Sequence, residues 1–199
     1  MTETKQLDLQ DFPVACLYVV STPIGNLFDL TYRATHILSN VDGIACEDKR
    51  HTTSLLKAFN IQRPLLALHE HNEMEASQTI ASHLAAGQRW AYVCDAGTPG
   101  ISDPGFLLVR ACVQAGIEVE CLPGPTAFVP ALVASGFPCD KFVFEGFLPH
   151  KKGRQTKIQA LAQENRTIVL YESPHRIAKT LTQMCEWLDP NREACVVRE

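Results

Sequence analysis

The stretch CDAGTPGISDPG, residues Cys94–Gly105, follows the apolar run Trp90–Val93 and holds three glycines, two prolines and two aspartates. A short apolar run reads as a buried strand, and a loop of that composition behind it costs much conformational entropy to order. Gly97, Gly100 and Gly105 allow positive φ or close approach to a ligand, while Pro99 and Pro104 stiffen the loop. Ser102 or Asp103 can cap a helix that begins near Pro104. The unit is therefore strand, glycine-rich loop, helix. Capping leaves Asp95, at the very end of the strand, unexplained.

The same unit repeats outward from this point. Apolar runs at Cys16–Val20, Gly43–Cys46, Leu65–Leu68, Ala91–Cys94 and Ile117–Leu122 read as strands. Amphipathic stretches at Leu30–Leu38, Thr52–Phe59, Met74–Ala86, Phe106–Ala115 and Thr126–Ala134 read as helices between and after them. Strands interleaved with helices predict an α/β protein with a mostly parallel sheet covered on both faces. Ligands of such sheets bind outside the carboxyl ends of the strands. Those ends carry STPIGN, CEDKRHT, HEHNE, DAGTPGISDPG and LPGPTA, so the unusual motifs of this half share one rim.

The segment ASGFPCDK, with Gly136 and Pro138, marks a domain boundary. The expected organisation is a loose tail over 1–13, an N-terminal α/β domain over 14–137 and a C-terminal α/β domain over 138–199. The second domain reads as strand Phe142–Phe147, helix Arg154–Asn165, strand Thr167–Tyr171 and helix Ile177–Leu188. EACVVRE opens a further strand, which makes that domain read as incomplete.

Composition limits the function classes. The 199 residues carry a net charge of −4 and are 46% hydrophobic, which fits a packed globule and not a protein that coats nucleic acid indiscriminately. Eight cysteines fall at 16, 46, 94, 112, 121, 139, 185 and 195 with no CxxC spacing, so zinc and dithiol signatures are missing. Several sit in apolar runs, and all are read as reduced and buried in a cytosolic protein. No segment has the length and apolarity of a signal peptide or membrane span.

The loops narrow the ligand. STPIGNL lacks both GxGxxG and GxxxxGK[ST]; Gly25 stands alone and Pro23 removes a backbone donor. Neither DAGTPGISDPG nor LPGPTAFVPA contains Lys or Arg, the usual partners of polyphosphates. Carboxylates at a strand's carboxyl end suit ribose hydroxyls or a cation. The implied ligand is nucleoside-like with little negative charge, and S-adenosylmethionine fits better than NAD or ATP.

Taken in order, STPIGNL, CEDKRHT, HEHNE, DAGTPGISDPG, LPGPTA, EGFLP and YESPHR closely resemble the ribosomal-RNA ribose methyltransferases of the tetrapyrrole methylase superfamily. The resemblance spans Ala15 to Glu199. It implies a two-domain α/β homodimer with S-adenosylmethionine in the cleft between domains. It also implies methylation of the ribose 2′-hydroxyl of cytidine 1402 in bacterial 16S rRNA. Its cofactor site maps onto Pro23 in the first loop, then Asp95, Ala96, Gly97, Thr98 and Ile101 in the glycine-rich loop. Thr126 and Ala127 follow in PGPTA, with Tyr171 and Glu172 from the second domain. CEDKRHT departs from the AEDTRHT pattern of relatives at Cys46 and Lys49, and the family extends beyond this chain's last residue.

Other clusters carry two readings each. CEDKRHT is a self-paired surface cluster, or Arg50 contacts phosphate while Glu47 or Asp48 accepts a proton. YESPHR offers Glu172 and His175 as catalytic candidates and Arg176 as an RNA contact. HKKGRQTK is a solvated helix start, or Lys151, Lys152 and Arg154 bind RNA phosphate, since cations oppose the dipole at a helix N-terminus. His69 and His71 flank Glu70 without a third neighbouring ligand, so a polar pocket wall is expected and no metal site. Two rival functions remain at this level: a small-molecule, tetrapyrrole-type methyltransferase of the same fold, and an RNA-binding protein with a vestigial pocket.

Overall fold

The computed structural model describes residues 13–198, so all but the last residue of the expected tail lies outside the described residues. Two compact units emerge, the first ending at Thr126 and the second starting at Ala127. The division precedes the boundary expected at 137/138. The reason is packing: helix α5 (Phe128–Ala134) joins the second unit, where the Phe128 ring stacks on Phe144 at 4.7 Å.

In the first unit, β1 (Cys16–Val19), β2 (Gly43–Cys46), β3 (Leu65–Ala67), β4 (Trp90–Val93) and β5 (Glu118–Cys121) form one parallel sheet in the order β3-β2-β4-β1-β5. Tyr18 stands beside Ala91 on one side and Glu120 on the other. The crossover helices are α1 (Tyr32–Asn40), α2 (Lys49–Ala58), α3 (Glu73–Ala85) and α4 (Phe106–Gln114).

Strand residues alternate between two cores, as a pleat demands. Cys16, Tyr18, Val20, Ile44, Cys46, Ala91 and Val93 pack with Ala34, Ile37 and Leu38 of α1 and Leu56 of α2. Leu17, Val19, Ala45, Trp90 and Tyr92 pack with Ala76, Ile80 and Leu84 of α3 and Leu108 and Cys112 of α4. The strand order explains this split. Connections α1 and α2 move toward β3, α3 and α4 move back toward β5, and right-handed crossovers place the two pairs on opposite faces. The central strands are apolar on both faces and fully buried, whereas edge strand β5 alternates with Glu118 and Glu120.

Caps fix the helix starts. Thr31 accepts the Ala34 N–H at 3.0 Å for α1, and Asp48 accepts the Arg50 N–H at 2.8 Å for α2. The Asp48 cap explains why α2 begins at Lys49, ahead of the expected Thr52. Glu73 and Glu75 place negative charge in the first turn of α3.

The second unit pairs β6 (Phe142–Phe147) with β7 (Thr167–Tyr171) in parallel, with a register shift between Phe144 and Gly146. Helices α5, α6 (Arg154–Leu161) and α7 (Ile177–Cys185) accompany it. Leu148, Ile158 and Leu161 form its core against Ile168, Leu170, Met184 and Leu188. Helices α6 and α7 end earlier than the amphipathic patterns predict. The strand expected from Glu193 is not formed over 193–198. Apolar β-branched residues give propensity, but a strand exists only where a neighbour receives its hydrogen bonds.

The cysteine expectation holds in part. Cys16, Cys46, Cys94 and Cys112 are buried free thiols, whereas Cys121, Cys139, Cys185 and Cys195 are exposed. The buried ones lie in β1, β2, α4 and directly after β4. The exposed ones lie on an edge strand, in loops or at a helix end, on the side turned away from the core. No helix among the described residues is long and apolar enough to cross a membrane.

Candidate functional site

Strands β1 and β4 are neighbours whose following helices leave for opposite faces, which opens a crevice at their carboxyl ends. Two backbone bonds hold the loops there. Thr22 N–H donates to Gly97 O at 2.9 Å, and Gly97 N–H donates to Thr22 O at 3.0 Å. The Thr22 hydroxyl donates to Cys94 O at 3.1 Å, fixing the start of the glycine-rich loop as well. The first and fourth strand loops are one structure.

A hydroxyl cluster joins the third loop. Thr98 Oγ1 lies 2.8 Å from Ser21 Oγ, 2.6 Å from Thr126 Oγ1 and 3.0 Å from Pro125 O. A hydroxyl has one proton and two lone pairs. If Thr98 donates to Pro125 O, Ser21 and Thr126 donate to it and Thr98 is saturated. Thr126 then keeps acceptor capacity for a ligand. Sequence reasoning missed Ser21. Its signal is a hydroxyl pair, Ser21-Thr22, closing an otherwise apolar strand.

The loop adopts the conformations that its glycines permit. Gly97 has φ +87°, and a Cβ there would lie 3.5 Å from Ile24 Cγ2 and 3.8 Å from Pro125 O. Gly105 has φ +125°, and a Cβ would fall 2.4 Å from the Tyr92 ring. Tyr92, fully buried, donates its hydroxyl to Pro104 O at 2.7 Å. Ser102 carries φ 65°, a strained value for a residue with a side chain.

The capping expectation for this loop is corrected. Helix α4 has Gly105 at its N-cap, and neither Ser102 nor Asp103 caps it. Glu73 does so from the start of α3: its Oε1 accepts the N–H groups of Gly105 at 2.8 Å and Leu107 at 2.9 Å. Sequence reading missed Glu73 because capping rules look along one helix, not across two.

Carboxylates gather beside the loop. Asp95 Oδ1 accepts the Asp48 N–H at 3.2 Å, linking the loops after β2 and β4. Burial, with the charges of Asp103 and Asp95, raises the Glu47 carboxyl above its ordinary value. Burial also raises Asp103, helped by Asp95. Cys94 is pushed up by burial and by Asp103, so its thiol stays protonated while donating toward Ala96 O and Gly97 O at 3.4 Å. Asp48 is the opposite case. Arg50 binds it through Nε at 3.2 Å and Nη2 at 2.7 Å, and its pKa falls to about 2. Asp48 is thus a cap and ion-pair partner with little basicity, while the Arg50 side chain is 92% exposed and gives Asp48 only two of its five side-chain N–H donors.

The other residues of the site divide by unit. Pro23, Ile101 and Thr126 are half-buried and Ala96 is exposed, all at the ends of first-unit strands or in their loops. His69 and His71 sit 6.0 Å apart between ring centroids. Among the described residues no group of three or more His, Cys, Asp or Glu is arranged to hold a metal ion.

In the second unit, two expectations are corrected. Arg154 is 8% exposed, and its guanidinium donates to Gln183 Oε1 at 2.8 Å, Pro149 O at 3.2 Å, Thr180 Oγ1 at 2.5 Å and Glu172 at 3.4 Å. It holds α6 to α7 and to the end of β7, with four of its five N–H donors committed inside the unit and the side chain largely shut off from an RNA phosphate. Glu172 accepts from Thr180 at 2.6 Å and from Ser173 N–H at 2.8 Å, and pairs with Arg176 at 2.7 Å. Burial raises its pKa, but these bonds and the charges of Arg176 and Arg154 outweigh it and hold the carboxyl low. That arrangement suits a buried anchor and not a proton acceptor.

Arg176 also meets His150 at 2.8 Å. Tyr171 is half-buried against Phe144 and Phe147, and Ala127 and His175 are exposed. Lys151 and Lys152 are exposed and make no ion pair among the described residues, while the neighbouring Lys157 pairs with Glu145. The basic cluster is thus two exposed lysines beside two committed cations.

The crossover sheet with a glycine-rich loop clasped at its switch point is that of an α/β ligand-binding protein, and its family is the tetrapyrrole (corrin/porphyrin) methylases. The chain belongs to that family, whose model matches residues 16–199. Within it, the chain is similar to proteins named ribosomal RNA small subunit methyltransferase I. It is 53% identical over 184 residues to that of Synechocystis sp. (strain ATCC 27184 / PCC 6803 / Kazusa), covering 92% of this chain and 66% of the relative. The corresponding figures for Escherichia coli O157:H7 are 48% over 196 residues, 98% and 68%. For Vibrio cholerae serotype O1 they are 52% over 184 residues, 92% and 64%, so the chain spans about two thirds of these relatives. A crystal structure of uroporphyrin-III-C-methyltransferase from Thermus thermophilus shares the fold, with a TM-score of 0.61 at 22% identity over 88% of this chain and 75% of that one.

Proposed function

We propose that this chain is an S-adenosylmethionine-dependent methyltransferase acting on small-subunit ribosomal RNA, with the ribose 2′-hydroxyl of cytidine 1402 as acceptor. The observation that carries it is the Thr22–Gly97 clasp, which presents Asp95 and Thr126 beside a loop free of Lys and Arg. The relatives' names point to the same substrate.

The residues present fit the donor. Gly97 leaves open the space that a side chain would fill, and the half-exposed Asp95 carboxylate suits ribose hydroxyls or a sulfonium. Asp95, Ala96, Gly97, Thr98 and Ile101, with Pro23 and Thr126, would hold it. When bound, S-adenosylmethionine supplies a methyl group on positively charged sulfur, an electrophile that needs no further activation.

The protein's own task is to position the ribose oxygen and receive its proton. A 2′-hydroxyl that would take this methyl group has to lose its proton, so the protein must hold a base beside it. Glu47 takes the hydroxyl proton, because its raised pKa makes it a stronger base than an ordinary carboxylate. Lys151 and Lys152 supply phosphate contacts, and the reading carries a homodimer with it. The test is tritiated methyl transfer from S-adenosylmethionine to small subunits lacking this modification, followed by mapping of the label. Label on the cytidine 1402 ribose supports the reading; label on a base, or transfer only to a tetrapyrrole, overturns it.

A further inference from the structure

We infer that Phe28 and Tyr32 form a stacking platform for unpaired nucleobases of the RNA segment flanking the methylated nucleotide, an inference that rests on the reading above. Both side chains are 96% exposed, the most open large hydrophobics among the described residues. Neither contributes to a core. Leu30 between them is 7% exposed and anchors the segment in the first core, which leaves its aromatic neighbours outside.

The backbone that presents these rings is rigid. Asn26 Oδ1 accepts the Phe28 N–H at 3.1 Å, Asp29 N–H donates to Asn26 O at 3.0 Å, and Leu30 N–H donates to Leu27 O at 3.2 Å. Thr31 then caps α1, whose first residue is Tyr32. A short 3-10 turn over Leu27–Asp29 and a capped helix start thus present two aromatic rings to water with their backbone ordered beforehand. Aromatic rings held this way suit single-stranded RNA, whose splayed bases stack on them whatever their sequence.

Position and charge select the same partner. The connection that carries Phe28 begins at Thr22, on the clasp to the glycine-rich loop, so platform and donor loop share one rim. Lys49, exposed and without an ion pair among the described residues, opens α2 on that rim and offers charge to a phosphate. The guanidinium of Arg33, beside Tyr32, is already taken by Glu120. The platform therefore offers ring faces, with phosphate attraction supplied from the next loop.

The experiment measures binding of a fluorescein-labelled single-stranded RNA by anisotropy, at several salt concentrations, for three double variants of the full chain. Stacking on one base is worth roughly 5- to 150-fold in affinity. Phe28→Ala with Tyr32→Ala should therefore weaken binding at least about fivefold, with the log–log salt slope unchanged because every phosphate keeps its cation. Phe28→Trp with Tyr32→Phe should keep wild-type affinity. Phe28→Leu with Tyr32→Leu, apolar but without a ring, should behave like the alanine pair. Unchanged S-adenosylmethionine affinity by calorimetry serves as the folding control.

Wild-type affinity in the alanine pair, or rescue by leucine, overturns the platform and leaves the proposed function standing. So does loss of self-association in sedimentation with RNA affinity intact, which would make the patch an interface between copies of this chain. Failure of the wild-type chain to bind RNA at all removes the platform and the RNA reading together.

Discussion

Thr22 and Gly97 exchange two backbone hydrogen bonds, at 2.9 and 3.0 Å, across the gap between the ends of β1 and β4. Strands β1 and β4 run parallel, so this antiparallel bridge exists only because one of the two loops reverses direction after its strand. Gly97 manages the reversal with φ +87°. The bridge turns two loops that lead to opposite faces of the sheet into one wall. The conformational cost of ordering the glycine-rich stretch is offset locally, by this clasp and the hydroxyl cluster around Thr98, before any ligand arrives.

Glu73 should matter to the same loop from a distance. Glu73→Ala leaves the Gly105 and Leu107 N–H groups without their acceptor and should destabilise the first unit by ~0.5–2 kcal/mol. Glu73→Gln keeps an acceptor and loses only charge at a helix N-terminus, about 0.3–1 kcal/mol. Urea titration measures both, and equal stability of the alanine variant and wild type would contradict the cross-helix cap.

The basic cluster should separate into structure and binding. Arg154→Ala removes the buried partner of Glu172 and should cost roughly 3–5 kcal/mol in stability. Lys151→Ala with Lys152→Ala should leave stability within about 0.5 kcal/mol. The lysine pair should instead flatten the salt dependence of RNA binding, by roughly 0.7–0.9 in log–log slope for each phosphate left without its lysine. Denaturation and binding isotherms on both variants decide it. A stable Arg154→Ala protein with a reduced salt slope would restore Arg154 as a phosphate ligand.

Glu172 and Glu47 should tilt stability against pH in opposite directions. The Glu172 pKa is lowered in the folded protein, so its contribution is present above the ordinary value of 4.5 and is lost as pH falls through the folded value. Glu172→Gln should flatten the acid side of the stability profile. The Glu47 pKa is raised, so the folded state binds more protons and stability declines as pH rises from 4.5 through the folded value. Glu47→Gln should therefore be more stable than wild type at neutral pH and slower in methyl transfer. A Glu47→Gln protein that is less stable at pH 7 and fully active would contradict its role.

Much of the fold was legible because period and burial agree along the central strands. Gly43–Cys46, Phe142–Phe147 and Thr167–Tyr171 fall where their apolar runs place them, and the rim motifs lie at strand ends. Less legible was whatever depends on residues far apart in the chain. The Glu73 cap joins two helices, the Ser21–Thr98–Thr126 cluster joins three loops, and Arg154 is buried only because Glu172, Thr180 and Gln183 surround it. A local reading of HKKGRQTK sees four cations and cannot see which of them the fold consumes. The unformed strand after Glu193 shows the same limit, since propensity names a candidate and pairing decides.

The most direct measurement is calorimetric titration of S-adenosylmethionine into wild type and Gly97→Val, in excess chelator, with circular dichroism on both. A β-branched residue at φ +87° adds strain of about 1–3 kcal/mol, within the 5–15 kcal/mol typical of a folded domain, so the variant should remain folded. Its side chain would occupy the space between Ile24 and Pro125 O that the donor's approach requires. The wild type should bind without metal, and the folded variant should not bind. Equal affinity in the two proteins, or no binding by a folded wild type, would contradict the assignment of the loop over Cys94–Gly105 as the methyl-donor pocket.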